Sequence, residues 1–442
     1  MASHHFTVRL VSILSFTMLL ASLCAAQTIP VSQRMKPPGA GARAAASNAV
    51  SVSPGDWSQL AKFVPSNGCC LGLENNSVAI SGDTVVIGQE PLGSGVKIVA
   101  QVFTRATQGW RNSPPVAKLS GPAPTEPYMA PVAIDGDTIV AVGPIGFQGM
   151  PGYAFVYAKP PGGWTNMSPT AVLSPSDDSK GTFGQAVAIS GDTIVISDDG
   201  DTTSTPGEAY VFVKPAGGWH NMTETAKLTP SDGATGDRFG WSVSISGGTI
   251  AIGAPQDGDF LSPGPGKAYV FVEPVTGWHT MTQSAELTVS NSTENEEIGL
   301  SVSVNGKTVL TGAPGYENFL GAAFVFEKPA SGWKDMTQTA TLTPVDEATS
   351  GFFGWSVGIS GKIAAVGSPY RGAAPNGLSG GVYIFEEPAG GWQNAASSIV
   401  LTGADAHFNV AFGNSLSISG KTLVGGTQRK SALGTAYVFG LP

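Results

Sequence analysis

The chain is poor in the residues that usually carry chemistry. Only three of its 442 residues are cysteine, five are histidine, and 12% are charged. Three cysteines cannot build a disulfide framework of the kind that holds small secreted domains together. Cys24 falls in the N-terminal apolar stretch, and Cys69 and Cys70 are neighbours in NGCCLG. The adjacent pair can form a strained vicinal disulfide or remain as thiols, but it cannot staple distant segments, and two ligands fall short of the four that structural zinc requires. There is no HExxH, no GxSxG elbow, and no phosphate-binding loop distinguishable from turn glycines. Lys and Arg number 23 against 32 Asp and Glu, for a formal charge of −9, and the basic residues are scattered singly. Nucleic-acid backbones require a basic stripe, so no nucleic-acid partner is expected.

Long apolar runs are scarce as well. The one that stands out, Leu10 to Leu23, follows the basic Arg9 and precedes Ala25 and Ala26. This pattern predicts a Sec-type signal peptide over residues 1–26 and hence export. It is shorter than the roughly twenty apolar residues of a membrane span, so no transmembrane segment is expected in the mature chain. Leu23 also lacks the small size usual before a lipid-modified Cys. Residues 27–54, rich in Pro, Gly, Ala and Ser without periodicity, read as a leader or spacer.

What the sequence has in quantity is glycine, 59 residues, arranged in a repeat. A turn of the form SGDT recurs with its Gly at positions 82, 136, 191, 247, 306, 361 and 420, in steps of 54, 55, 56, 59, 55 and 59 residues. A Gly-Trp pair keeps the same step at Trp110, Trp164, Trp219, Trp278, Trp333 and Trp392, with Trp57 as a looser first version. Periods of this length signal solenoids, propellers or arrays. Within the unit, apolar residues alternate with polar ones, as in Val243 and Ile245 between Ser242, Ser244 and Ser246, which is the strand period. Four strands fit each unit. For the fourth copy they are expected at Ser242 to Ser246, Thr249 to Gly253, Lys267 to Val272 and Ala226 to Thr229.

A lone four-stranded sheet cannot bury both faces, whereas seven around an axis can. The expectation over residues 55–442 is therefore an all-β, seven-bladed β-propeller of four-stranded antiparallel blades. The repeated Trp is expected to plug the space between blades. After Gly420 the chain has two further strands and no fourth, while residues 57–64, WSQLAKFV, resemble the fourth strands near Ala117, Ala226 and Ala285. The N-terminal strand is thus predicted to pair in the last blade and close the ring, removing an open edge.

The motif Phe239-Gly240 followed by Gly253-Ala254-Pro255 resembles the FG-GAP repeat of integrin α-subunit propellers and of secreted bacterial proteins. Phe183-Gly184, Ile298-Gly299, Phe353-Gly354 and Phe412-Gly413 hold the first half, while Gly312-Ala313-Pro314 and Gly367-Ser368-Pro369 hold the second. The resemblance implies an extracellular or cell-surface binding or adhesion module. Integrin-like repeats often carry a DxDxDG calcium loop between the two halves. Here that connection is a two-residue hairpin, too short to supply six to eight oxygens, so those metal sites are not expected, nor is any cofactor.

Acidic residues gather elsewhere. Asp177, Asp232, Asp346 and Asp405, with Asn291 in the series, precede the Phe-Gly strands and are expected to make turns. Asp199, Asp201, Asp257 and Asp259 follow the second strand and are secondary candidates for calcium. His220 and His279 directly follow the repeat Trp and read as surface loop residues, leaving His407 as the third histidine beyond the signal. A non-catalytic module is expected, monomeric, with its loop face on an extracellular protein or glycan. A lectin-like propeller, with Trp241 and Trp355 as its sugar-stacking candidates, is the alternative, and an extracellular carbohydrate-active enzyme the third. Asn75, Asn166, Asn221 and Asn291 head glycosylation sequons.

Overall fold

A computed structural model describes residues 57–65, 77–89, 98–121, 131–143, 152–177, 182–200, 205–256, 258–259, 262–346, 351–372, 379–397, 399–404, 410–427 and 434–441. The predicted signal and leader, Cys69, Cys70, Asn75, Asp201, Asp257, Asp405 and His407 lie outside them. Seven sheets follow one another around an axis. Their innermost strands are Val78–Ser81, Val132–Asp135, Val187–Ser190, Ser242–Ser246, Ser301–Asn305, Ser356–Ser360 and Ser415–Ser419, which define blades 1 to 7. Each innermost strand packs beside those of the two neighbouring blades, and that of blade 7 lies beside blade 1. The fold is all-β.

Ring closure runs through the N-terminal strand. Ser58–Phe63 pairs antiparallel with Ala436–Gly440, from Ser58 opposite Gly440 to Phe63 opposite Ala436, as the outer strand of blade 7. The same offset corrects the strand assignment made for the fourth copy. Ala226–Thr229 is the outer strand of blade 3, paired with Glu208–Val213, and blade 4 is completed by Ala285–Thr288. Alternation alone cannot tell an outer strand that ends one blade from one that opens the next.

Outer edges are covered from the neighbouring blade. Met281–Thr282 adds in parallel to the outer strand of blade 3, Met336–Thr337 to that of blade 4, and Ala395–Ser397 to that of blade 5. Leu119 with Met167 and Leu173 with Met222 make the corresponding single bridges in blades 1 and 2. This hides backbone groups that would otherwise template association. Two residues after each Gly-Trp, a short polar side chain accepts a backbone N–H of the preceding blade's outer strand. Asn112 takes that of Lys62, Asn166 that of Lys118, Asn221 that of Val172, Asp335 that of Glu286 and Asn394 that of Thr341, all at 2.7–2.9 Å. The Asn of two sequons is therefore a structural acceptor. Trp164, Trp219, Trp278, Trp333 and Trp392 are all buried, and each packs into the cluster shared by its own and the preceding blade.

Trp57 differs from them. It lies four residues before Ala61 of its outer strand, where the other blades place Met167, Met222, Met281 and Met336, so it stands in for the bridging Met and not for the Gly-Trp plug. It is buried between blades 6 and 7.

The two halves of the FG-GAP motif meet at the seam between blades. Within a blade the Gly of Phe-Gly donates its N–H to the carbonyl of the Gly that opens the second half: Gly240 to Gly253, Gly299 to Gly312, Gly354 to Gly367, at 3.0–3.1 Å. That second Gly then lies against the next blade. A Cβ at Gly253 would sit 1.9 Å from the Gly299 carbonyl oxygen, and one at Gly312 1.8 Å from that of Gly354. The same carbonyls accept Ser242 and Ser301 hydroxyls, at 2.8 and 2.9 Å. Phe239, Phe353 and Phe412 are fully buried beneath this seam, edge-on to Tyr269, Tyr383 and Tyr437 of their own blades.

Backbone cannot yield to a new methyl as a flexible side chain can. Gly312→Ala is expected to cost at least about 3 kcal/mol, the upper part of the overpacking range. Gly306→Ala, where φ is +57° but nothing lies within 4 Å, should cost about 1–2 kcal/mol from conformation alone. Chemical denaturation of the two variants checks the order.

Candidate binding face

Opposite the Gly hairpins, each Phe-Gly turn enters its blade beside the point where the second strand leaves. The turns repeat one geometry. Trp241 donates its N–H to the Arg238 carbonyl, Leu300 to Glu297, Trp355 to Phe352 and Asn414 to Ala411, at 3.0–3.3 Å. The residue before Phe or Ile is non-glycine with positive φ in four blades: Arg238, Glu297, Phe352 and Ala411, at 45–58°. Conformations of this kind cost free energy and persist where the surroundings enforce them, often at functional positions.

Along each innermost strand, Trp241, Leu300, Trp355 and Asn414 share the side-chain parity of Val243, Val302, Val357 and Leu416. Those four line a cavity of about 10 Å³ together with Ser242, Ser301 and Ser356. This volume admits about one water. At the Phe-Gly end of these strands, Arg238 and Trp241 are half-buried. The Arg238 guanidinium stacks on the Trp241 ring at 4.0 Å and forms an ion pair with Asp199, Nη2 to Oδ2 at 2.9 Å. Two blades on, the same kind of turn carries an aromatic group: Phe352 is 5.3 Å from both Phe319 and Tyr370, and Trp355 is 6.1 Å from Tyr370. Phe319 is delivered by a left-handed turn in which Glu317, Asn318 and Phe319 all have φ of 47–67°.

The acidic candidates divide by environment. Asp199 is buried, with Oδ1 accepting the Thr182 hydroxyl and Oδ2 occupied by Arg238, so its oxygens are already engaged. Asp259 lies on a two-residue strand, Gly258–Asp259, paired with Ser262–Pro263. Asp201 and Asp257 lie outside the described residues. Among the described residues, no group of three or more His, Cys, Asp and Glu is placed to hold a metal ion. His220 and His279 are exposed, each with Nδ1 3.2 Å from the carbonyl oxygen of the Gly before the Trp.

Asp177, Asp232 and Asp346 do more than shape turns. Each faces the third-strand Tyr of its blade and a cation. Asp232 accepts Tyr269 Oη at 3.0 Å and Lys267 Nζ at 2.5 Å, Asp346 accepts Tyr383 at 2.6 Å and Arg371 at 2.5 Å, and Asp177 accepts Tyr210 and Lys227. Burial favours the protonated acids at Asp232 and Asp346, but the hydrogen bonds and positive charges prevail and hold both carboxyls below the usual range. Sequence reasoning missed these triads. Their signal is a Tyr two residues into each third strand, in Glu-Ala-Tyr, Lys-Ala-Tyr and Gly-Val-Tyr.

Two carboxyls near the axis are displaced the other way. Burial pushes Asp198 up to about 6, against backbone N–H groups of Thr182 and Gly200 that favour its charge, with Asp199 and Glu208 adding repulsion. Burial pushes Glu297 up to about 7, offset in part by Arg238, and its Oε2 is shielded from solvent without a protein partner.

Spans 167–212, 222–271 and 336–385 match the FG-GAP repeat family. Each runs from the bridging Met or its neighbour through an outer strand and the first three strands of the next blade, the same one-strand offset that closes the ring. The chain is an FG-GAP repeat β-propeller protein. No curated protein matches it.

An acid whose native pKa is raised binds its proton more tightly in the folded state, so stability from that group falls as pH rises from its unfolded value through its native one. For Glu297 and Asp198 this window runs from about pH 4 to about pH 7. The Glu297→Gln variant of the propeller should lose less melting temperature than wild type between about pH 5 and about pH 7.5. Asp232 has the opposite sign, with stability present above its unfolded pKa and lost on acidification through its lowered native one. Thermal melts of Asp232→Asn should fall less steeply than wild type below about pH 4.

Proposed function

We propose that this propeller is an exported, non-catalytic binding module whose loop face engages an extracellular protein or glycan at or outside the cell surface. The observation that carries the reading is the Arg238–Trp241 stack at the axis mouth. It joins a half-buried aromatic surface to a cation held by Asp199, on a rigid ring whose blade 6 presents Phe352 and Tyr370 from the equivalent loops. Aromatic and Arg anchors of this kind dominate recognition surfaces, and loops on a rigid scaffold are where function concentrates. The strained turns at Arg238, Glu297 and Phe352 support the same face. Export rests on the signal-like residues 1–26 and agrees with the extracellular setting typical of this repeat family.

The lectin alternative narrows to one of its two tryptophans. Of these candidates, Trp355 is only 8% exposed, which leaves Trp241 as the one able to stack on a sugar. A glycan array probed with residues 27–442, with calcium and then with chelator, tests this beside capture of surface proteins. Whichever ligand class binds, Trp241→Ala is expected to weaken it by about 2 kcal/mol or more, roughly thirtyfold, with an unchanged melting temperature. Full binding by both Trp241→Ala and Arg238→Ala would exclude this face.

A further inference from the structure

The opposite face carries an independent pattern. The seven Gly hairpins form a closed ring, because the Gly N–H of each tip donates to the side chain that ends the previous blade's innermost strand. Gly136 bonds Ser81, Gly191 Asp135, Gly247 Ser190, Gly306 Ser246, Gly361 Asn305 and Gly420 Ser360, and Gly82 bonds Ser419 to complete the circuit, at 2.6–3.2 Å. The residue after each Gly stands on this ring and is exposed in every charged case. Read around it, blades 1 to 3 present Asp83, Asp137 and Asp192, blade 4 presents Gly248, and blades 5 to 7 present Lys307, Lys362 and Lys421. The tips of one half are acidic and those of the other basic, divided at blade 4 and at the seam between blades 7 and 1. Asp83, Asp137 and Asp192 pair with Arg105, Lys159 and Lys214 of their own chain, respectively, at 3.1–3.3 Å.

We propose that this face is an interface for a second copy of the same chain, joined about a twofold axis lying in the plane of the ring through blade 4 and the blade 7 to blade 1 seam. That operation places blade 1 over blade 7, blade 2 over blade 6 and blade 3 over blade 5. Asp83 then opposes Lys421, Asp137 opposes Lys362 and Asp192 opposes Lys307, each pair occurring twice. A twofold interface must be complementary to itself, and a ring of hairpin tips divided into acidic and basic halves meets that condition. The next row outward, the residues that follow the third strands, matches only in part: the operation sets Lys159 against Glu387, but Lys214 against Lys328, a like charge. Val275, in the third-to-outer connection of blade 4, is fully exposed and lies along the twofold, where it can meet its own copy. Glu273, its near neighbour on that line, meets a like charge. Exposed pairs set register and encounter more than affinity, so the dimer is salt-sensitive and reversible. It differs from the monomer expected from sequence and leaves both loop faces directed outward.

Sedimentation of the purified protein tests this. Association should weaken at least tenfold between about 20 mM and about 500 mM salt, as the Debye length falls from about 20 Å to about 4 Å. The triple variant Asp83→Lys, Asp137→Lys, Asp192→Lys and the triple variant Lys307→Glu, Lys362→Glu, Lys421→Glu should each be monomeric with native circular dichroism. Mixed in equal amounts, an all-basic and an all-acidic ring should form a heterodimer. Glu273→Gln should tighten the wild-type dimer. A protein that stays monomeric at about 100 μM in low salt, a dimer unmoved by either triple, or folded triples that fail to associate when mixed, would each overturn the proposal.

Discussion

The structure depends on backbone touching backbone where one blade meets the next. The Gly253 and Gly312 carbonyls hold the Phe-Gly turns of their own blades, while their Cα atoms lie against the Gly299 and Gly354 carbonyls of the following ones. Any side chain at those positions would push the blades apart. The buried Phe239 and Phe353 depend on this closeness, since their rings fill the space the seam leaves beneath it. The repeat is thus conserved along the chain for a steric reason, and the sites that vary lie on either side of it.

Where the motif departs from Gly-Ala-Pro, the surroundings adapt. Blade 3 carries Ser197-Asp198-Asp199 at that place, and the Ser197 hydroxyl accepts the Ala186 N–H at 3.1 Å inside the seam. The two carboxylates that follow are drawn inward, and Asp199 reaches across to Arg238 of blade 4. The worn repeat and the charged mouth of the axis are therefore one feature. Glu297, on blade 5, extends it with a carboxyl that is costly to ionise.

Much of this was legible in the chain itself. The seven turn glycines, with φ confined to 52–58°, are evenly spaced because each makes the same hairpin, and the ring closure at Ser58–Phe63 followed from a missing strand. The legible features were local or periodic. What escaped was contact between units: Ala226–Thr229 reads equally well as the end of one blade or the start of the next, and Trp57 looks like a plug until its distance from Ala61 is compared with that of Met222 from Ala226. The pairing of Asp232 with Tyr269 spans 37 residues, and no spacing rule within one strand or turn reveals it. Asn166 and Asn221 look like modification signals because their role as acceptors for the previous blade leaves no local trace.

The way the ring is joined also sets how it yields to tension. Ser58 lies opposite Gly440, so the N-terminal end of the closing strand and the C-terminal end of its partner emerge at the same edge. A pull on the chain at these two points loads the rungs of that ladder in turn and not together, and the strand peels away like a zip. Blade 7 is therefore the mechanical weak point of a ring whose other blades are each closed by a continuous piece of chain.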